Sequence, residues 1–219
     1  MLHAIINASS ADLFNSTFEE SNKDNPYYLF SKHLANNIRN LTTLQFAQQT
    51  MFVKLSEFVL SLFPFLVTST RFVKRANDIS FVMADIFKNG LSCTGPEFNI
   101  DYSKVLVSQG NLPGGILVHV KASLSTIHFT WEHYKCSRTG QGSDKAILVA
   151  YCEALNKCIY TTWGARRQDE EAILEVPQFH GHTVQTWLSF ISADGKQISK
   201  STYTGAVKLS DYTGALYVT

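Results

Sequence analysis

Histidine and cysteine are the residues of this chain best suited to chemistry, and their spacing decides how far that goes. His180-Gly181-His182 could place two imidazoles beside a metal ion, and His128 and Glu132 share one face of a strand. A metal site needs three or four converging ligands, and no third stands at a helpful spacing, so these are read as surface histidines. Cys93, Cys136, Cys152 and Cys158 are separated by 43, 16 and 6 residues, which leaves no C-x-x-C pair for a zinc ribbon or a thioredoxin-like centre. Cys152 and Cys158 flank a hairpin turn and could face each other across it; buried free thiols are the other reading. The chain has no G-x-S-x-G elbow, H-E-x-x-H pair, phosphate loop or catalytic-cysteine signature. Gly140-Gln141-Gly142 falls between two strands and reads as a turn. The expectation is a non-enzymatic protein without metal or cofactor.

Side chains that commonly anchor protein interfaces are better represented. Tyr160, Trp163, Arg166 and Arg167 stand at a strand end and the turn after it, and Trp and Arg are enriched at such anchors. The bland alternative is a rim around the fold. Tyr27, Tyr28 and Phe30 could grip a sugar or peptide, although helix core is the commoner role of such a cluster. Near the C-terminus Tyr203-Thr204-Gly205-Ala206-Val207 recurs as Tyr212-Thr213-Gly214-Ala215-Leu216, so Tyr212 and Leu216 belong to a possible extra strand at a sheet edge.

Nineteen basic against eighteen acidic residues leave a formal charge of +1, without the concentrated basic surface that phosphate binding demands. Nucleic acid is therefore not an expected partner. With 45% apolar and 17% charged residues, the 219-residue chain can build a substantial core. Met1 to Ser10 has no secretory pattern, and the apolar run Phe58 to Val67 is half of what a membrane span requires. The compartment is open between the cytoplasm and export by a signal-independent route. Without a signal peptide, the acceptor patterns at Asn7, Asn15 and Asn40 read as helix-capping Ser and Thr.

Residues 1–95 carry helical signals. Short helices are expected from Ser9 to Glu20 and from Pro26 to Asn40. A third begins at Thr42 or Thr43, with Leu44, Phe46, Ala47, Met51, Leu55, Phe58, Val59 and Leu62 on a broad apolar stripe that Pro64 disrupts. The last starts near Asn77 and stops at Asn89-Gly90. After Gly95-Pro96 the hydrophobic period falls from about 3.6 to 2. Residues 96–114 read as a linker with one strand, Tyr102 to Ser108. Strands follow at Gly115 to Ala122, Thr126 to Glu132, Lys145 to Cys152, Cys158 to Trp163, Ala172 to Val176, Thr183 to Ser192 and Ser199 to Leu209, with residues 210–219 as a tail strand. Short strands at this spacing point to an antiparallel β-sandwich. Ile127, Phe129 and Trp131 form a core face. Ile147, Val149 and Tyr151 are read as core-facing, with Leu148 and Ala150 opposite; around Leu188 and Phe190, the opposite face carries Trp187 and Ile191. Since both faces are apolar, Leu148, Trp187 and Ile191 are expected to be covered by the helical part or by another subunit.

The order of Trp131, the Ile-x-Val-x-Tyr of residues 147–151, Leu174, Pro177 and Ala193-Asp194-Gly195 with Ser199 resembles fibronectin type III modules over residues 115–209. Over residues 77–209, the runs Ile100 to Ser108, Asp144 to Tyr151 and Phe190 to Lys196 resemble an uncharacterised bacterial family of unknown function, often present as paralogues. Met1 to Asn40 departs from that family. The resemblance implies an α+β fold, a helical region followed by a fibronectin type III or immunoglobulin-like sandwich, and no activity. The expected function is a structural or assembly protein, self-associating or binding a paralogue as a homo-oligomer or scaffold; the alternative is a monomeric glycan- or peptide-binding module.

Overall fold

The computed structural model describes residues 43–70, 85–94, 97–134, 140–162 and 164–210. The chain divides into two compact units, residues 1–50 and 51–219, and only 43–50 of the first are described. The helices expected at 9–20 and 26–40, with Tyr27, Tyr28 and Phe30, lie outside the described residues, as do Trp163, Tyr212 and Leu216.

Helix α1 spans Thr43–Thr70 and runs through Pro64, where a break was expected. Pro64 is exposed, the position at which a missing backbone donor costs least, because water can take the freed carbonyl. Leu55, Phe58, Val59, Leu62, Phe65 and Leu66 are buried, at the i, i+3, i+4 and i+7 positions of one stripe. The window Gln49–Leu66 is long and apolar enough to cross a membrane by length and composition alone, which the shorter run Phe58 to Val67 did not indicate. A third of it is buried inside the protein, which accounts for the apolar character of that stripe.

Of the helix expected from Asn77, residues 85–90 are described, ending in a helical turn at Ile86–Gly90. Two short strands follow, β1 (Leu91–Thr94), at the end of the region expected to be helical, and β2 (Glu97–Ile100), in the expected linker, paired antiparallel. Four-residue runs are too short to display a two-residue beat. The strand expected at Tyr102 to Ser108 begins instead as a 3₁₀ turn, Tyr102–Lys104, because the Asp101 carboxylate accepts the Ser103 N–H and offers the backbone a local alternative. The following segment is tied down by serines: Val107 N–H donates to Ser201 Oγ at 3.0 Å, and Ser108 Oγ donates to the Ser199 carbonyl at 3.0 Å.

The remaining strands are β3 (Ile116–Ala122), β4 (Thr126–Glu132), β5 (Lys145–Cys152), β6 (Lys157–Thr161), β7 (Glu171–Glu175), β8 (Thr183–Ile191) and β9 (Thr202–Lys208). They form two antiparallel sheets, β3-β4-β7 and β6-β5-β8-β9. Counting from β3, this puts the first, second and fifth strands in one sheet and the third, fourth, sixth and seventh in the other. It is a sandwich of the fibronectin type III kind, preceded by a helix, and the fold is α+β.

The core lies between the sheets. Ile127, Phe129 and Trp131 of β4 and Ala172 and Leu174 of β7 meet Ala146, Leu148, Ala150 and Cys152 of β5 and Val184, Leu188 and Phe190 of β8. This reverses the faces expected for β5. Leu148 stands opposite Leu188 and Val149 opposite Trp187, and cross-strand partners share a face. Leu148 and Ala150 therefore point into the sandwich, while Ile147, Val149 and Tyr151 join Trp187 and Ile191 on the outer side.

Candidate functional site: a buried arginine corner, a covered sheet face and an open one

Arg167 follows β6 in a short 3₁₀ turn, Arg167–Asp169, and its side chain is 2% exposed. Its Nε–H donates to Asp144 Oδ2 at 3.2 Å. The two terminal nitrogens donate to the Gly114 and Pro113 carbonyls at 2.8 and 2.6 Å. The guanidinium carbon lies 3.7 Å from the centroid of the Phe190 ring, and Trp131 meets the same ring edge-on with centroids 5.4 Å apart. Trp131 Nε1–H donates to the Arg167 carbonyl at 2.7 Å. Burial works against the Arg167 charge and lowers its pKa, and Asp144 opposes that shift. Gly140-Gln141-Gly142 is a turn, as expected. Gln141 N–H donates to Asp144 Oδ2 at 2.9 Å, and Gly140 has φ +84°, with room taken up by Arg167: a Cβ there would stand 2.8 Å from the guanidinium carbon.

The outer face of β6-β5-β8-β9 is covered by α1. Phe58 packs edge-on against Tyr102 at 5.4 Å and Tyr151 at 4.7 Å, and tilted against Trp187 at 6.3 Å. Phe65 meets Tyr160 at 5.4 Å. Trp187 Nε1–H donates to the Val105 carbonyl at 3.1 Å, which satisfies the one polar atom of a fully buried indole. Burial pushes the Tyr102 and Tyr151 hydroxyls well above the ordinary tyrosine range, and Glu153 adds to both shifts. Burial also pushes the Cys158 thiol up to about 12. Cys158 stands opposite Tyr151 and Cys152 opposite Lys157, so the two cysteines are one pair out of step on opposite faces of the sheet. Both are free.

Among the described residues, no helix or strand packs on the outer face of β3-β4-β7. It carries His119 and Lys121 on β3, Thr126, His128, Thr130 and Glu132 on β4, and Glu171, Ile173 and Glu175 on β7. His128 Nε2 and Glu171 Oε2 are 3.1 Å apart. Ile173 is 63% exposed, flanked by its two glutamates.

These placements sort the interaction residues read from the sequence. Leu148 is in the sandwich core, and Trp187 and Ile191 are buried on the helix-covered face. Tyr160 is half-buried beside Phe65, and Arg167 is inside the corner just described. Of the described members, only Arg166 is exposed, with its N–H donating to Asp169 Oδ2 at 2.7 Å. Arg167 was misplaced because a Trp and two Arg beside a turn resemble an interface, whereas its carbonyl partners, Pro113 and Gly114, are more than fifty residues distant. Asp144, standing after a Gly-x-Gly turn and just before a strand that is apolar from Ala146 to Cys152, was the available signal. Among the described residues, no group of three or more His, Cys, Asp or Glu converges to hold a metal ion.

Comparison with known families matches residues 24–205 to a family of unknown function, DUF6266. The chain belongs to this family. The match begins at residue 24, so part of the segment expected to depart from the family lies within it. Against curated proteins the family member described here finds no match. Among solved structures, a crystal structure of titin domains is similar at 10% identity, with a TM-score of 0.34 over 47% of this chain. The chain spans about a third of that titin chain, 34% of its length.

Proposed function

We propose that this DUF6266 protein is a non-enzymatic scaffold that offers its sandwich surfaces to other proteins, either further copies of itself or related chains. One observation carries this reading. Arg167 and the two described tryptophans, side chains of the kind that anchor interfaces or grip ligands, are spent inside the fold: the Arg167 guanidinium on Asp144 and two carbonyls, and the indoles of Trp131 and Trp187 on main-chain carbonyls. Among the described residues the surface keeps sheet edges and the outer face of β3-β4-β7, the features through which sandwich modules engage partners. The immunoglobulin-like fold favours an interaction module in the same direction. Sedimentation of the purified full chain, alone and mixed with a second family member, tests it. Complexes of defined mass are expected. A monomer in every mixture, at concentrations up to about 100 µM, where even transient interfaces populate, overturns the reading.

A further inference from the structure

We infer that β9 has a built-in substitute: residues 210–218 exchange with residues 201–209 for the place on the edge of β8, a register exchange within one chain. This goes beyond the scaffold reading and does not rest on it. The observation is a tandem repeat whose first half falls on a strand with exacting demands. Ser201-Thr202-Tyr203-Thr204-Gly205-Ala206-Val207-Lys208-Leu209 is followed at once by Ser210-Asp211-Tyr212-Thr213-Gly214-Ala215-Leu216-Tyr217-Val218. Apart from Ser210, the second half lies outside the described residues.

The first repeat shows what the place on β8 requires. Ser201 is buried, and its Oγ accepts the N–H groups of Val107 and Ser108 at 3.0 and 3.3 Å. The Tyr203 hydroxyl donates to Gln185 Oε1 at 2.6 Å, and its ring stands edge-on to Trp187. Thr204 Oγ1 lies 2.6 Å from Thr186 Oγ1, which donates to the Gly205 carbonyl at 2.7 Å. Gly205 holds φ +114° beside the point where the β8–β9 register shifts, a backbone conformation that side chains rarely adopt. Val207 stands opposite Val184 and packs on the core. Leu209 is fully buried, with its N–H donating to the His182 carbonyl at 3.0 Å.

The second repeat meets each requirement. Ser210, Tyr212, Thr213 and Gly214 reproduce the polar and conformational positions, and Leu216 and Val218 put aliphatic side chains at the two core positions. Tyr217 replaces Lys208, which is exposed. The one poor match is Asp211 for Thr202, which is half-buried opposite Leu188, because a carboxylate there is drawn toward the core side. The second register also lengthens the connection from β8 by nine residues, and the entropy of closing a loop grows only slowly with its length. Both terms favour the first repeat, the one seen on β8. Neither is large enough to forbid the second, so the sandwich stays closed with either repeat in place.

Gly205→Val tests the exchange cleanly. A Cβ at Gly205 meets nothing within 4 Å, so only the backbone angle opposes the valine. Hydrogen exchange of the full chain, read by mass spectrometry, should show protection falling over residues 201–209 and rising over 210–218 relative to the parent. Gly214→Val alone should leave the melting temperature unmoved. Added to Gly205→Val it should lower the melting temperature by a further 4 °C or so (about 4 °C), since no glycine is left for the strained position. A Gly205→Val chain that does not fold, one that keeps its protection on 201–209, or a double variant as stable as Gly205→Val overturns the exchange. Protection of 210–218 that appears only in a dimer, resolved by sedimentation, overturns it as an event within one chain.

Discussion

Arg167 and Asp144 meet at 3.2 Å with both side chains 2% exposed, and the pair is closed on the remaining sides by the Pro113 and Gly114 carbonyls and the Phe190 ring. Removing one partner leaves the other charged, dry and unmatched. Arg167→Met is expected to cost about 3–5 kcal/mol of folding stability, measured by denaturant unfolding. Arg167→Lys should recover only part, since an ammonium cannot reach three acceptors held in the geometry of a planar fork. An Arg167→Met variant as stable as the parent would show that the pair is dispensable to the fold.

Phe58 and Phe63 lie on one helix with opposite fates. Phe58 is fully buried against three aromatic rings, whereas Phe63 is exposed. Phe58→Ala should cost about 3–5 kcal/mol and shift the Trp187 fluorescence to the red as the indole meets water. Phe63→Ala should change stability by less than about 0.5 kcal/mol. Equal losses from the two would mean that α1 does not use the stripe seen here.

Leu117 holds φ +46° in the bulged part of β3, with its side chain 58% exposed. Left-handed backbone costs a leucine roughly 1–2 kcal/mol, and little apolar burial offsets it here. Leu117→Gly is therefore expected to leave stability unchanged or to raise it by up to about 1 kcal/mol in thermal unfolding. A clear loss would mean that the side chain has a partner.

Alkaline pH should unfold the protein early. The Cys158 thiol is raised from 9.0 to about 12, and the Tyr102 and Tyr151 hydroxyls are raised above their ordinary value of 10.0, all chiefly by burial. The unfolded chain gives up these protons at its lower pKa values while the folded chain retains them. Stability from these groups is thus complete below about pH 9 and falls as pH rises, by up to about 1.4 kcal/mol per pH unit for each group titrating in the unfolded chain alone. A denaturation midpoint flat between pH 8 and about 11 would contradict these burials. In the same spirit, Cys158 should resist thiol reagents at about pH 8 until the chain unfolds, because the thiolate is the reactive form.

The sandwich was legible where one face is wet. Thr126 to Glu132 alternates apolar and polar, and β4 was read with its boundaries and its core face intact. Lys145 to Cys152 was located as well, but with its faces exchanged, because a strand that is apolar on both sides has a beat without a direction. Only the pairing of Leu148 with Leu188 resolves it. The Pro64 helix and the Asp101 turn erred in opposite senses: a strong breaker was tolerated on the water side, and a short carboxylate diverted a run that looked like a strand. Arg167 escaped because the partners of a guanidinium fork are defined by the closed fold and leave no local spacing to read.

The docking of α1 on Tyr151, Trp187 and Tyr160 has a consequence for where this protein can be cut. Free-standing sandwich modules are wet on both outsides and travel between proteins as detachable beads. Here one outside is greasy and wears the helix as a lid sewn on from earlier in the same polypeptide, so a fragment beginning at Gly115 would bare an aromatic slab to solvent. The transferable piece begins upstream of Leu55, and swapping anything shorter transplants a surface that must find another cover.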